Sequence, residues 1–170
     1  MKRIVKMIVL MLALSVLWGC GKVNTAEVAD SNGDGKLTCT LKIRCDTLLG
    51  NLDGMHAGKA ALVPENGVML EVAEVEFSAG DSVFDVFRQV LRQEKIHFEY
   101  VDASVYDSVY IEGIGNIYEF DCGPQSGWMF SVNGVYPGLG CSAYTLADGD
   151  AIVFNYTCDP GADLGADYEK

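Results

Sequence analysis

Apolar and polar residues alternate along Thr38–Cys45 (TCTLKIRC), and a period of two is the mark of a half-buried strand. Val68–Phe77 (VMLEVAEVEF) predicts a second strand. Ser78-Ala79-Gly80-Asp81 then turns the chain into a helix over Ser82–Glu94, where Val83, Phe84, Phe87, Val90 and Leu91 recur at helical spacing. Asp81 or Ser82 can cap this helix, and Ser82-x-x-Asp85 is close to a capping box. Between the two strands, residues 46–67 hold no long period, only one short helical turn near Leu48–Leu52. Beyond the helix the pattern breaks into short strands at Ile96–Val101, Tyr106–Ile111, Asn116–Phe120, Trp128–Val132, Val135–Tyr136 and Ala151–Tyr156. Asn133-Gly134 is a type I′ hairpin signal, because both turn positions favour positive φ, and Asp148-Gly149-Asp150 marks another tight turn. A strand pair, one helix and a series of later strands predict an α+β domain, one main helix on a curled sheet. No internal repeat or coiled coil interrupts it.

The first twenty residues obey a different pattern. Lys2, Arg3 and Lys6 precede an uncharged apolar run from Met7 to Trp18, too short for the roughly 20 residues a helix needs to cross a bilayer. A signal peptide is expected over residues 1–20. Leu17-Trp18-Gly19-Cys20 resembles a bacterial lipobox, with Trp18 larger than the usual small residue before the glycine. That resemblance implies lipidation of Cys20; a plain secretory signal cut nearby is the alternative. Residues 21–37 are small and polar and read as a flexible tether. Within it, Asp30-x-Asn32-x-Asp34-Gly35 imitates the start of a calcium loop, but the twelfth position is Leu41 where a carboxylate is needed. A turn before the first strand is the better reading.

Composition narrows the function classes. The 170 residues carry 24 acidic and 12 basic side chains, a formal charge of −12, and 49% hydrophobic residues. So apolar a chain does not stay disordered, and so acidic a one repels nucleic-acid phosphate. Loss of residues 1–20 removes three bases and no acid, taking the net charge to about −15. Membrane attachment is then expected only through a lipid on Cys20, not by charge. The domain is expected over 38–158 and a loose acidic tail over 159–170.

Five cysteines remain: Cys39, Cys45, Cys122, Cys141 and Cys158. In an exported protein they read as disulfides, and neither a Cys-x-x-Cys pair nor enough histidine argues for zinc. Cys122 with Cys141 and Cys45 with Cys158 are the expected pairs, leaving Cys39 over, although spacing alone does not fix connectivity. No catalytic motif appears: Gly113-Ile114-Gly115 lacks the spacing of a dinucleotide loop, the acids are scattered, and His97 beside Phe98 reads as a half-buried strand residue. An acid pair working as in a glycoside hydrolase finds no arrangement here. The expectation is a non-enzyme.

The informative stretch is Ser126-Gly127-Trp128-Met129-Phe130-x-Val132-Asn133-Gly134-x-Tyr136-Pro137, leading to Tyr144-x-Leu146-x-Asp148-Gly149-Asp150-x-Ile152. With the helix start Gly80-Asp81-Ser82-Val83-Phe84-Asp85-Val86, it resembles the bacterial family known as domain of unknown function 4430. That family is similar to the C-terminal β-domain of transcobalamin and gastric intrinsic factor, the animal cobalamin carriers, and the resemblance spans Thr38–Cys158. It implies a β-grasp-like α+β fold. In the carriers this small domain closes over a corrinoid held against a separate α-helical barrel. By that resemblance Trp128, Asn133, Tyr136 and Tyr144 are the ligand-binding residues. This chain has no α-barrel, so half of such a site is missing. Trp128 and Phe130 share strand parity, so both can equally be core residues, and Asn133-Gly134 can be present for the turn alone.

Two classes of function follow. One is a monomeric module at the bacterial cell surface, lipid-anchored or secreted, that binds a small molecule such as cobalamin or another corrinoid. The other is a protein–protein or cell-envelope accessory module with no small ligand. The lipid anchor has its own test. Cys20→Ala is expected to move the protein from the membrane fraction to the soluble one on fractionation; retention in the membrane would place the anchor elsewhere.

Overall fold

The computed structural model describes residues 36–103, 108–165 and 167–168. The expected signal peptide, Cys20 and the imitated calcium loop lie outside the described residues. Strand β1, Leu37–Arg44, carries Cys39, Leu41 and Ile43 inward, as its alternation predicts, and all three are buried. Two 3-10 helices follow at Asp46–Gly50 and Leu52–Gly54, with a third at Ala60–Leu62. Strand β2, Val68–Phe77, returns antiparallel to β1, with Leu37 opposite Phe77 and Arg44 opposite Val68. Helix α1, Val83–Gln93, comes next, then β3 (Phe98–Ala103), β4 (Ser108–Ile114) and β5 (Ile117–Tyr118). The chain ends in β6 (Gly127–Val132), β7 (Val135–Tyr136), β8 (Ala151–Thr157) and β9 (Asp167–Tyr168).

These strands make two sheets. The larger has the order β2-β1-β8-β6-β7-β9 and the smaller β3-β4-β5. Inside the larger sheet β1 and β8 run parallel, with Leu41 beside Ile152 and Ile43 beside Phe154. A parallel pair needs a long crossover, and here all the intervening elements supply it. Helix α1 buries Val83, Phe84, Val86, Phe87, Val90 and Leu91. The Phe87 ring packs 4.5 Å from Phe154 of β8 and 5.3 Å from Phe98 of β3 (centroid distances), so one helix face covers both sheets.

The helix begins where its sequence says. Asp85 N–H donates to Ser82 Oγ (3.2 Å), and Ser82 N–H and Oγ–H both donate to Asp85 Oδ2 (3.0 and 2.6 Å). This is a complete capping box, and it satisfies amide groups that the first turn would otherwise leave unpaired. Ser82 is also the hinge to the strand side, through a bridge to Thr145, and Val83 N–H donates to Tyr144 O.

The α+β architecture with one main helix is as the sequence predicts, and β2 and β7 occupy the predicted residues. The small sheet is shifted. β3 starts two residues later than the apolar pattern because Lys95, at φ 57, still closes the helix, and Ile96 N–H donates back to Leu91 O. β4 runs on to Ile114 and turns at Gly115-Asn116, both at positive φ, directly into β5. Gly113 is needed there for a different reason: a Cβ would sit 2.6 Å from the Tyr118 ring. The tail is not loose throughout. Thr157 Oγ1 donates to Asp163 Oδ1, Cys158 N–H to Asp163 Oδ2, and β9 pairs parallel to β7.

The cap makes a clean prediction. Ser82→Ala should lower unfolding stability by about 1 kcal/mol, read by urea denaturation. The bonds from Ser82 hold the Asp85 carboxyl below its ordinary range. Its contribution is therefore complete above the ordinary aspartate pKa and lost as pH falls through the lowered folded value. The wild-type advantage over Asp85→Asn should shrink at acid pH and persist at neutral pH.

Candidate functional site

The predicted hairpin joins β6 to β7 through Asn133 and Gly134, at φ 53 and 83. Asn133 does more than turn the chain. Its Nδ2 donates to Asp150 Oδ1 (2.8 Å), its Oδ1 accepts from Ala151 N–H (2.9 Å), and its own N–H donates to Ala151 O (2.9 Å). Asp150 Oδ2 in turn accepts from Ala147 N–H (2.8 Å). The Asn-Gly and Asp-Gly-Asp turns of the sequence are thus one interlocked corner, and both polar ends of the Asn133 amide are used in it.

Trp128, Phe130 and Val132 of β6 stand opposite Tyr156, Phe154 and Ile152 of β8. Trp128 is only 7% exposed; its ring meets Tyr156 edge-on, and its indole N–H donates to Ile117 O (2.9 Å). That bond spans the two sheets. Tyr136 is buried, and its hydroxyl accepts from Asn155 Nδ2 (3.1 Å). Tyr144 is half-buried, with its ring edge-on to Phe130.

Trp128 and Tyr136 do meet at one surface feature. A groove of about 210 Å³ opens between β4, β6 and the loop 137–141, with Tyr110, Trp128, Phe130, Tyr136, Leu139 and Phe154 among its walls. Asn133 and Tyr144 are not among its lining residues. An adjoining hollow of about 260 Å³ shares Val109, Tyr110, Leu139 and Gly140 with it. The loop is docked firmly: Val109 N–H donates to Ser142 Oγ (2.9 Å), and a Cβ on Gly140 would lie 1.9 Å from Ser108 Oγ. At the rim Tyr110 is 40% and Leu139 54% exposed. The Tyr110 hydroxyl donates to Glu119 (2.5 Å), and burial together with that bond raises its pKa well above the usual phenol range. The groove is therefore uncharged and aromatic-walled, suited to a flat apolar face with a few polar contacts at its edge.

Sequence reasoning finds Trp128 and Tyr136 but not Tyr110 and Leu139. The available signal for Leu139 is its place between two glycines, an apolar residue in a turn with no strand to bury it. Tyr110 carries none, since its role comes from the neighbouring sheet. Elsewhere, exposed His97 and Glu99 cluster with half-buried Tyr118, with Tyr118 Oη donating to Glu99 (2.7 Å) and His97 Nε2 2.9 Å from the same carboxylate. The Glu99 bond pushes the Tyr118 phenol up to about 12, which keeps it protonated rather than nucleophilic. Among the described residues no group of three or more His, Cys, Asp or Glu is placed to hold a metal ion.

The cysteines correct the expected pairing. Cys141 is buried with its thiol directed to Val109 O (3.6 Å), and Cys45 is fully buried. Neither Cys122–Cys141 nor Cys45–Cys158 is bonded, and all five described cysteines are free thiols. Instead Cys158 Sγ lies 3.4 Å from Cys122 Sγ, because the end of β8 passes the turn that feeds β6. Spacing along the chain does not reveal that passage.

Residues 80–158 match the family model described as Domain of unknown function (DUF4430). No curated protein matches the sequence. Among solved structures, haptocorrin in complex with Cbi, a transcobalamin-like protein, is similar with a TM-score of 0.54 at 13% identity; the match covers 74% of this chain. The chain spans only 26% of the haptocorrin chain's length. A Ruminococcus gnavus ATCC 29149 protein with a provisional metal-binding description is matched over 71% of this chain and 96% of its own, at 15% identity and a TM-score of 0.40. Residues 80–158 are therefore similar to the domain of unknown function 4430, and the fold built around them resembles a segment of haptocorrin.

Proposed function

We propose that this domain is a non-enzymatic, monomeric, extracytoplasmic binding module whose groove between β4, β6 and the loop 137–141 receives a flat small molecule, with a corrinoid as the specific ligand. The carrying observation is the groove itself: Tyr110 and Leu139 exposed at its rim over a wall of Trp128, Phe130 and Tyr136. Apolar side chains left exposed around an aromatic hollow mark a contact surface. The likeness to haptocorrin in complex with Cbi supports the choice of corrinoid by analogy of fold. The apolar, positively headed first twenty residues support placement outside the cytoplasm.

The size of the groove sets the manner of binding. About 210 Å³ is below the roughly 300–1,000 Å³ of pockets that enclose a drug-sized ligand. A corrinoid would lie across the groove and leave its other face uncovered. A second reading, an accessory module that binds a protein partner at this face, is favoured by one feature. Val101 of β3 stands directly opposite Tyr110 and is also exposed, so the apolar surface extends beyond the groove.

Titration of the purified protein with cobalamin and with cobinamide separates the two. The ligand reading expects a saturable change in Trp128 fluorescence and a raised Tm, with Kd below ~100 μM. Leu139→Asp should weaken binding at least ~10-fold while leaving the unliganded Tm unchanged, because Leu139 is exposed. Unchanged fluorescence and Tm at high micromolar ligand would overturn the corrinoid reading and leave the protein-partner one.

A further inference from the structure

We propose that Cys122 and Cys158 are an oxidisable pair whose disulfide closes the open end of the β6–β8 ladder. The two sulfurs are already in contact at 3.4 Å, across 36 residues of chain. Both backbones are held in place independently of the sulfurs. Cys122 N–H donates to Ser126 Oγ (3.0 Å), and Ser126 Oγ also lies 2.8 Å from the Tyr156 hydroxyl. Cys158 N–H donates to Asp163 Oδ2 (2.8 Å). Gly127 and Thr157 are the last register pair of β6 and β8, so the two cysteines flank the point where the strands part. Sulfurs fixed in contact by their own backbones need only a side-chain adjustment to reach bonding distance.

Burial separates this pair from the other thiols. Cys39, Cys45 and Cys141 are at most 3% exposed. They are small apolar core residues, shielded from any oxidant. Cys122 and Cys158 are half-buried and reachable. The turn they would fix includes Phe120, whose φ of 66 is a conformation that a bulky residue keeps only where its surroundings impose it.

The chemistry is thiol–disulfide exchange with a small-molecule or protein disulfide as oxidant. The Cys158 thiol donates to the Cys122 sulfur, which leaves Cys122 as the sulfur that attacks first. The Cys122 thiolate forms a mixed disulfide with one sulfur of the oxidant and releases the other as a thiol. Cys158 then gives up its proton and attacks the Cys122 sulfur, expelling the second thiol. Two protein thiols are oxidised, and one external disulfide is reduced to two thiols.

The test is to incubate the purified full chain with oxidised glutathione, alkylate under denaturing conditions without reductant, and map the peptides. The expected product has lost two hydrogens, links Cys122 to Cys158, and leaves Cys39, Cys45 and Cys141 alkylated, with Cys20 read on its own peptide. Its Tm should exceed that of the reduced protein by roughly 10 °C. That difference should disappear in Cys122→Ser and equally in Cys158→Ser. Alkylation of both Cys122 and Cys158 after oxidation, or a bond from either to another cysteine, would overturn the proposal.

Discussion

β1 and β8 come from opposite ends of the described domain and run parallel, Leu41 beside Ile152 and Ile43 beside Phe154. Each of those four side chains is buried, so the pairing is also the centre of the core. The constraint is severe, because a parallel pair cannot be joined by a tight turn. More than a hundred residues separate the partners, and the elements between them are placed by the need to close that loop. β2 covers one edge of β1, β6 covers one edge of β8, and α1 lies over Phe154. Loop closure on this scale costs entropy before any contact repays it, so the central pairing is expected to form late in folding.

The groove depends on that arrangement at one remove. β6 reaches its place by pairing with β8, and only then does Trp128 meet Tyr156 and reach across to Ile117 of the small sheet. The Tyr156 hydroxyl lies 2.8 Å from Tyr118 O, a second tie between the sheets. The two sheets are thus fixed relative to each other by side chains from adjacent strands, and the groove is the cleft that remains where β4 passes the loop 137–141. Its walls come from sequence segments as distant as Tyr110 and Phe154.

That origin explains what the sequence discloses. α1 is legible because everything that defines it is local: the cap, the capping box and the apolar stripe lie within a dozen residues. The Asn133-Gly134 turn is legible for the same reason, although its lock onto Asp150 is not. Trp128 and Tyr136 are named by resemblance to a family, not by their chemistry. Tyr110, Leu139 and the apposition of Cys122 with Cys158 depend on which strands pair, and pairing is a property of the whole chain. β9 is hidden for a related reason: two residues are too few to show a period, and the acidic tail is drawn back by the bonds that Thr157 and Cys158 donate to Asp163 and by the pairing of β9 with β7.

The structural and binding accounts of the hairpin are compatible. Trp128 is buried and its N–H is committed to Ile117, so it cannot swing out to stack on a ligand without leaving a buried carbonyl unpaired. It can still form the floor of a groove whose exposed edge is carried by Tyr110 and Leu139. A rigid floor with exposed apolar groups at the rim favours recognition with little loss of conformational freedom, because the ordering was completed on folding. The remaining deficit is area. One shallow groove covers one side of a large flat ligand, and the exposed Val101 beside Tyr110 shows where a second surface could meet the same face. On the proposed ligand reading the groove supplies one face of a recognition surface, and the chemistry of the opposite face decides what is held between them.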